Sequence, residues 1–363
     1  MDITRLLRPD LRELQAYEAV QSPESLAKIT SVPPEKIIRL NANENPYGPS
    51  PRVQEALGRY RGYHIYPDAG QRAMREALAL YTGAPADHIL VGAGADELID
   101  LLLRATLQPR DRVIDCPPTF GMYSFSTQVN GGTLVSVPRD RDYQVDLAGV
   151  KKAMGPRTKV IFLANPNNPT GNLTPEEVVL SLLEEDILVV IDETYFEFSG
   201  QTVAPLVFRH PNLVVLRSLS KWAGLAGMRL GYGIMDPFLQ ERLMEIKQPY
   251  SVTAAGEVAL LASLRDMPYL RRNTEALIQE RERLFSRLAV ILGLRPWPSM
   301  GNFLLCDVSW GKAPQVFQEL ARRGIFVRYF DTPRLKDSLR FSAGKPEHTD
   351  ALMSALEEIF QKP

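Results

Sequence analysis

Seven short β-forming runs between about residues 86 and 235 constrain this chain more than any other feature. They read HILVG (88–92), RVIDC (112–116), TLVSV (133–137), KVIFLA (159–164), ILVVID (187–192), LVVLRS (213–218) and RLGYGI (229–234). Continuous Val, Ile and Leu suit strands covered on both faces. Most of the intervening stretches have room for a crossover helix. The alternation predicts an α/β fold, a mostly parallel seven-stranded sheet with helices on both sides. One helix start is explicit. In TPEEVVLSLLEED (174–186), Thr174 is the expected N-cap, Pro175 the first helical residue and Glu177 the partner in a capping box.

The remainder has a different grain. Residues 254–293 read as long helices. Strand-like NFLLCDV, IFVRYF and SLRFSAG follow, interleaved with helical PQVFQELARRG and closed by TDALMSALEEIF. The expected division is an N-terminal arm (1–40) packing with a smaller C-terminal α+β domain (256–363), and a large domain (41–255) between them. No internal repeat or low-complexity segment interrupts this pattern.

Charge removes several functional classes. The chain carries 42 basic and 43 acidic residues among 363, a net charge of -1. That balance gives no general attraction to nucleic acid or to an anionic membrane. No apolar run approaches the roughly 18 residues of a membrane span. The beginning, MDITRLLRPDLRELQAYEAV, lacks an apolar signal core, so a cytoplasmic location is expected. Cys116 and Cys306 are far apart and form no framework, and the four histidines lack metal-ligand spacing. No metal is expected.

Ligands of an open α/β sheet bind beyond the carboxyl ends of its strands. Here those ends run into AGADE (93–97), NPNNPTG (165–171), DETY (192–195) and SLSK (218–221). A parallel sheet brings all four groups to one edge. Together they supply helix-start N–H groups, amides, a carboxylate beside a phenol, and an amine beside hydroxyls. That set suits an anionic aromatic cofactor with a ring nitrogen and a carbonyl carbon. Lys221 stands among Leu219, Trp222, Ala223, Gly224, Leu225 and Ala226. Such a lysine either lays its stem over a core strand and reaches water, or loses its proton by desolvation and becomes a nucleophile. VGAGADE opens like a dinucleotide fingerprint but has Glu97 in place of the third glycine, so it suits one phosphate and not a pyrophosphate. SLSK also matches the S-x-x-K of penicillin-binding serine enzymes, whose S-D-N and K-T-G partners do not occur here.

The ordered set LNANENPYGPSP (40–51), YPD (66–68), GAGADE (92–97), CPPTFGMYS (116–124), NPNNPTG (165–171), DETYFEF (192–198) and SLSKWAGLAGMRLGY (218–232) resembles the fold-type I pyridoxal-phosphate-dependent aminotransferases. Within them it is similar to the histidinol-phosphate aminotransferases. The resemblance spans nearly the whole chain. It implies pyridoxal 5'-phosphate as cofactor, a homodimer with shared active sites, and an amino donor and a 2-oxo acid as substrates. Histidinol phosphate with 2-oxoglutarate, in histidine biosynthesis, is the pair expected first, and aromatic amino-acid transamination the alternative. A threonine-phosphate decarboxylase-like enzyme, a non-catalytic regulator on the same fold and a serine acyl-enzyme at Ser218 are further readings.

The same resemblance assigns residues. Lys221 matches the lysine that bonds the cofactor, and Asp192 the aspartate at its ring nitrogen. Tyr195 and Asn168 match the pair at the phenolic oxygen. Phe120 matches the stacked aromatic, where many relatives have tyrosine. Ala95, Asp96, Ser218, Ser220 and Arg229 match the phosphate cup, and Tyr66 the tyrosine reaching that phosphate from the other subunit. Arg340 matches the arginine gripping the substrate carboxylate, and Arg328 the second anion-binding arginine. Asn43 lies in the substrate-side motif, and Tyr17 in an arm resembling the family's lid. Gly224 and Gly227 are expected to let the chain pass close to the cofactor.

Overall fold

The structure, a computed structural model, describes residues 3–12, 14, 16, 22–30 and 32–361. Tyr17 lies outside the described residues. A short strand β1 (Ile38–Leu40) precedes seven strands: β2 (Ile89–Gly92), β3 (Arg112–Asp115), β4 (Thr133–Ser136), β5 (Thr158–Ala164), β6 (Leu188–Asp192), β7 (Leu213–Ser218) and β8 (Gly231–Ile234). These seven form one sheet in the order β2-β8-β7-β6-β5-β3-β4. Neighbours from β7 to β4 are parallel. β8 runs antiparallel to both β2 and β7. Each expected run therefore contains a strand of the main sheet.

Period-two alternation explains why the sheet sits between two helical layers. Val189 and Ile191 of β6, with Leu213 and Val215 of β7, enter the apolar cluster on one face. Leu188 and Val190, with Val214 and Leu216, enter the cluster on the other. The helix Ala95–Thr106 packs on the second face through Leu98, Ile99, Leu101, Leu102 and Leu103. Burying each such side chain contributes roughly 1.5–3 kcal/mol.

The direction of β8 matters for what lies beyond the edge. Gly231 pairs with Gly92 on one side and with Ser218 on the other. The residues just before β8, Arg229 among them, are thus delivered to the edge where β2, β3, β5, β6 and β7 end.

A second sheet joins β9 (Leu294–Pro296), β10 (Phe303–Val308), β11 (Ile325–Tyr329) and β12 (Ser338–Ser342) with β1, in the order β1-β11-β12-β10-β9. β1 pairs in parallel with β11, and the other contacts are antiparallel. Helices Ala313–Arg322 and Pro346–Gln361 cover it around Val316, Leu320, Leu352 and Leu356. The long helix Met267–Leu288 joins the two cores. Its Leu270 and Leu277 enter the main cluster, while Leu284 and Leu288 enter the second.

The expected cap at Thr174 is not formed. The helix is Glu176–Leu183, with extended Pro175 at its N-cap position. The N–H of Thr174 is held at 2.9 Å by the Asn165 side chain at the end of β5. That bond ties Thr174 to the strand end, and its buried hydroxyl caps nothing.

Candidate active site

A cleft of about 900 Å³ opens where the main sheet's carboxyl edge faces the second sheet. Its lining includes Ala95, Asp96, Phe120, Asn168, Asp192, Tyr195, Ser218, Ser220, Lys221, Arg229, Asn43, Arg328 and Arg340. The four strand-end groups therefore meet in one place.

Lys221 is half-buried and its amine donates to the carbonyl of Ala42 across 2.9 Å. Its pKa is pushed down to about 8, first by desolvation and then by the charge of Arg340. Asp192 is 5 % exposed at the tip of β6. Its carboxylate accepts from the Tyr123 hydroxyl at 2.8 Å and from the Thr194 N–H at 3.0 Å. Among the described residues no cationic side chain pairs with it. Burial pushes its pKa up, and the hydrogen bonds from Thr194 and Tyr123 oppose that. A buried carboxylate with acceptor capacity left and no cation is costly unless a positive group joins it.

The anion-binding end is built from three elements. The helix Ala95–Thr106 starts at the edge after Gly94, whose φ of 87° is left-handed. With ψ at 167° that backbone conformation favours glycine, and a Cβ there would also press on the tip of Arg229, 2.5 Å from its Nη2. Arg229 donates to Asp96 Oδ2 at 2.8 Å. The Ser218 hydroxyl donates to the Leu230 carbonyl at 3.3 Å and accepts from the Ser220 N–H at 3.1 Å. A helix N-terminus, an arginine and two hydroxyls fit a single phosphate.

Asn43 holds a left-handed φ of 54° and is 1 % exposed. Its amide donates to the Tyr195 hydroxyl at 2.9 Å and accepts from the Ser342 hydroxyl at 2.8 Å. Both ends of that amide are engaged by protein, which makes Asn43 a tie between Tyr195 and the second sheet. Arg340 donates to Asn168 Oδ1 at 2.6 Å and to the Asn41 carbonyl at 2.7 Å. Arg328 is paired in register with Arg340 across β11 and β12, so both project from the same face.

Phe120 lines the cleft, its ring 5.6 Å from that of Tyr123 at nearly a right angle. Tyr66 is elsewhere. It is 77 % exposed and stacks on Tyr250 with ring centres 4.4 Å apart. Gly224 has a left-handed φ of 68°, and a Cβ there would meet the Gly48 backbone at 2.4 Å. Its close approach is to a neighbouring loop, and a Cβ at Gly227 would meet open space. The expectation that Gly224 passes close to the cofactor is corrected in that sense, while Gly227 lines the cleft.

Tyr123, the hydroxyl partner of Asp192, was not singled out from the sequence. Phe120 precedes the helix Met122–Val129, and a turn in which the Tyr123 N–H donates to the Phe120 carbonyl at 3.3 Å brings the two rings together. Among the described residues no group of three or more His, Cys, Asp or Glu is placed to hold a metal ion. No helix among them is long and apolar enough to cross a membrane.

Residues 35–356 match the model of the family described as Aminotransferase class I and II. A histidinol-phosphate aminotransferase of Dehalococcoides mccartyi is 47 % identical over 358 residues, 99 % of each chain. A chloroplastic histidinol-phosphate aminotransferase of Arabidopsis thaliana is 46 % identical over 357 residues, covering 98 % of this chain and 86 % of that one. The crystal structure of the Sinorhizobium meliloti histidinol-phosphate aminotransferase in complex with pyridoxal-5'-phosphate superposes with a TM-score of 0.89 at 28 % identity, covering 98 % of this chain and 97 % of that one. A Thermus thermophilus aspartate aminotransferase, 22 % identical with a TM-score of 0.81, shares the fold over 97 % of this chain and 99 % of its own. With a family match across most of its length and relatives approaching half identity from end to end, this chain belongs to the class I and II aminotransferases.

Proposed function

We propose that this protein is a pyridoxal-phosphate-dependent aminotransferase that moves the amino group of histidinol phosphate to 2-oxoglutarate, a step of histidine biosynthesis. The observation carrying the substrate choice is the pair Arg328 and Arg340, in register on one sheet face and both lining the cleft of Lys221. Two guanidinium groups match the charge and acceptor oxygens of a phosphate, and either can grip the carboxylate of the 2-oxo acid in the return half. The names of the Dehalococcoides and Arabidopsis relatives support the same choice.

The residues present fit the cofactor. Ser218, Ser220, Arg229 and the N–H groups of Ala95 and Asp96 would hold its phosphate. Asp192 would keep a proton on its ring nitrogen, while Tyr195 and Asn168 would address its phenolic oxygen. Phe120 would cover its ring. When bound, pyridoxal phosphate supplies an electron-withdrawing ring that takes up the electron pair left on the donor carbon. Lys221, neutral in an appreciable fraction at its lowered pKa, would serve as the base for the proton on that carbon and as the acid that gives it to the cofactor's carbonyl-derived carbon. Arg328 and Arg340 hold the donor so that its C–H bond faces the Lys221 amine.

The functional unit we propose is a homodimer. Exposed Tyr63, Ile65, Tyr66 and Tyr250 support a covered face there, with Tyr66 serving the partner's phosphate cup. We also propose the division into an arm (1–40), a large domain (41–255) and a small domain (256–363), with β1 carrying the arm into the small sheet. A cytoplasmic location is supported by Cys116 and Cys306, both buried free thiols.

A panel of amino donors with 2-oxoglutarate tests the proposal. Histidinol phosphate should exceed phenylalanine, tyrosine and histidine in kcat/KM. Faster turnover of phenylalanine would put the aromatic reading first.

A further inference from the structure

Glu193 and Arg217 lie back to back with the cofactor-facing residues. Asp192 and Glu193 are consecutive, as are Arg217 and Ser218. At the ends of adjacent β6 and β7, Asp192 and Ser218 line the cleft while Glu193 and Arg217 do not. The Glu193 side chain is 0 % exposed and that of Arg217 4 %. Arg217 Nε and Nη2 donate to Glu193 Oε2 at 3.0 and 2.9 Å. Nη2 also donates to the Thr202 hydroxyl at 2.7 Å, and the guanidinium lies 3.7 Å above the Phe196 ring. Glu193 Oε1 accepts from the Val203 N–H at 2.7 Å. The segment from 193 to 203, which carries Tyr195, is therefore wrapped around one guanidinium.

We propose that Arg217 and Glu193 are positioning residues for the cofactor: their ion pair clamps the tips of β6 and β7 from behind and so sets Asp192, Tyr195 and Ser218 relative to one another. Those three address the ring nitrogen, the phenolic oxygen and the phosphate, three separate points of one rigid molecule. Each lies within two residues of the pair. An arginine suits this task better than a lysine, because its planar fork engages the carboxylate with two nitrogens and stacks on the phenyl ring. A buried pair is weak evidence for stability, since neutral replacements of both partners often leave a fold as stable as before. Its presence at this point is better explained by the geometry it imposes on the cleft.

The inference rests on the cofactor reading above, and the experiment separates the two. Wild-type apoprotein, Arg217→Lys and the double variant E193Q/R217M are titrated with pyridoxal phosphate. The dissociation constant, the apoprotein melting temperature and the pH midpoint of the bound cofactor's absorbance are measured. Wild-type protein that fails to take up pyridoxal phosphate would sink the cofactor reading itself. The clamp predicts an apoprotein melting temperature near wild type for the double variant, with the dissociation constant raised on the order of tenfold or more and the absorbance midpoint displaced. Arg217→Lys should show the same loss in milder form, and it decides the matter if the double variant does not fold. Wild-type affinity and an unmoved midpoint in a folded variant would overturn the proposal. So would an affinity loss that merely follows lost apoprotein stability.

Discussion

Tyr123 donates its hydroxyl to Asp192 Oδ2 across 2.8 Å, beneath the cleft and out of reach of water. That bond fixes the carboxylate that would face the cofactor's ring nitrogen. Asp192→Asn keeps an acceptor for Tyr123 but removes the charge that holds a ring proton. We expect near-wild-type folding with kcat reduced by a factor on the order of 10²–10³, as for other lost electrostatic stabilisers. Tyr123→Phe removes one hydrogen bond, about 1 kcal/mol, and should slow turnover roughly fivefold. Steady-state rates on the two purified variants check the ranking, and near-normal turnover in Asp192→Asn would refute the electron-sink role.

Lys221 gives the pH dependence. Its pKa of about 8 means that the neutral, nucleophilic amine accumulates as pH rises through about 8, instead of near the ordinary lysine value. At pH 7 about one molecule in ten carries the neutral amine, against fewer than about one in a thousand for a free lysine. Cofactor capture by apoprotein should therefore accelerate with pH and level off above about 8. Arg340 is one of the charges depressing that pKa, so Arg340→Gln should move the midpoint upward. Stopped-flow absorbance across a pH series measures both. A rate still climbing past pH 10 would match a solvated lysine.

Asn43 ties the two sheets together at the cleft. Asn43→Ala leaves the buried Tyr195 and Ser342 hydroxyls each short of a partner and places alanine at a left-handed φ of 54°. We expect a loss of about 2–4 kcal/mol in stability. Denaturant unfolding measures it, and Ser342→Ala, which loses its bonds to the Asn43 N–H and amide oxygen but adds no left-handed strain and keeps the bond to Tyr195, should cost less.

Most of the main sheet was legible because its strands are buried on both faces and so are written as unbroken Val, Ile and Leu. The site was legible to the extent that strand topology alone gathers AGADE, NPNNPTG, DETY and SLSK on one edge. The illegible parts depend on side chains meeting across the fold. Arg217 and Glu193 are 24 positions apart and carry no spacing signal, yet pair at 2.9 Å. Ser342 and Asn43 are 299 apart. The Thr174 cap failed for a like reason, because the distant Asn165 amide competes for the Thr174 N–H.

The arginine pair separates substrates. Arg328→Ala should raise the KM for histidinol phosphate at least on the order of tenfold, the loss of one charge-assisted contact, and hardly change that for phenylalanine. Arg340→Lys, which loses the two-pronged grip and the bond to Asn168, should lower kcat/KM for both donors. Equal effects of Arg328→Ala on both donors would show that this arginine does not read a phosphate.

Borohydride reduction of the pyridoxal-phosphate-loaded protein, followed by peptide mapping, shows which amine bonds the cofactor. The loaded protein should be yellow and carry a single modified lysine, Lys221, with no label fixed in Lys221→Ala. A label on any other lysine, or an unlabelled wild-type protein that still transaminates, would rule out Lys221 as the cofactor-bonding residue.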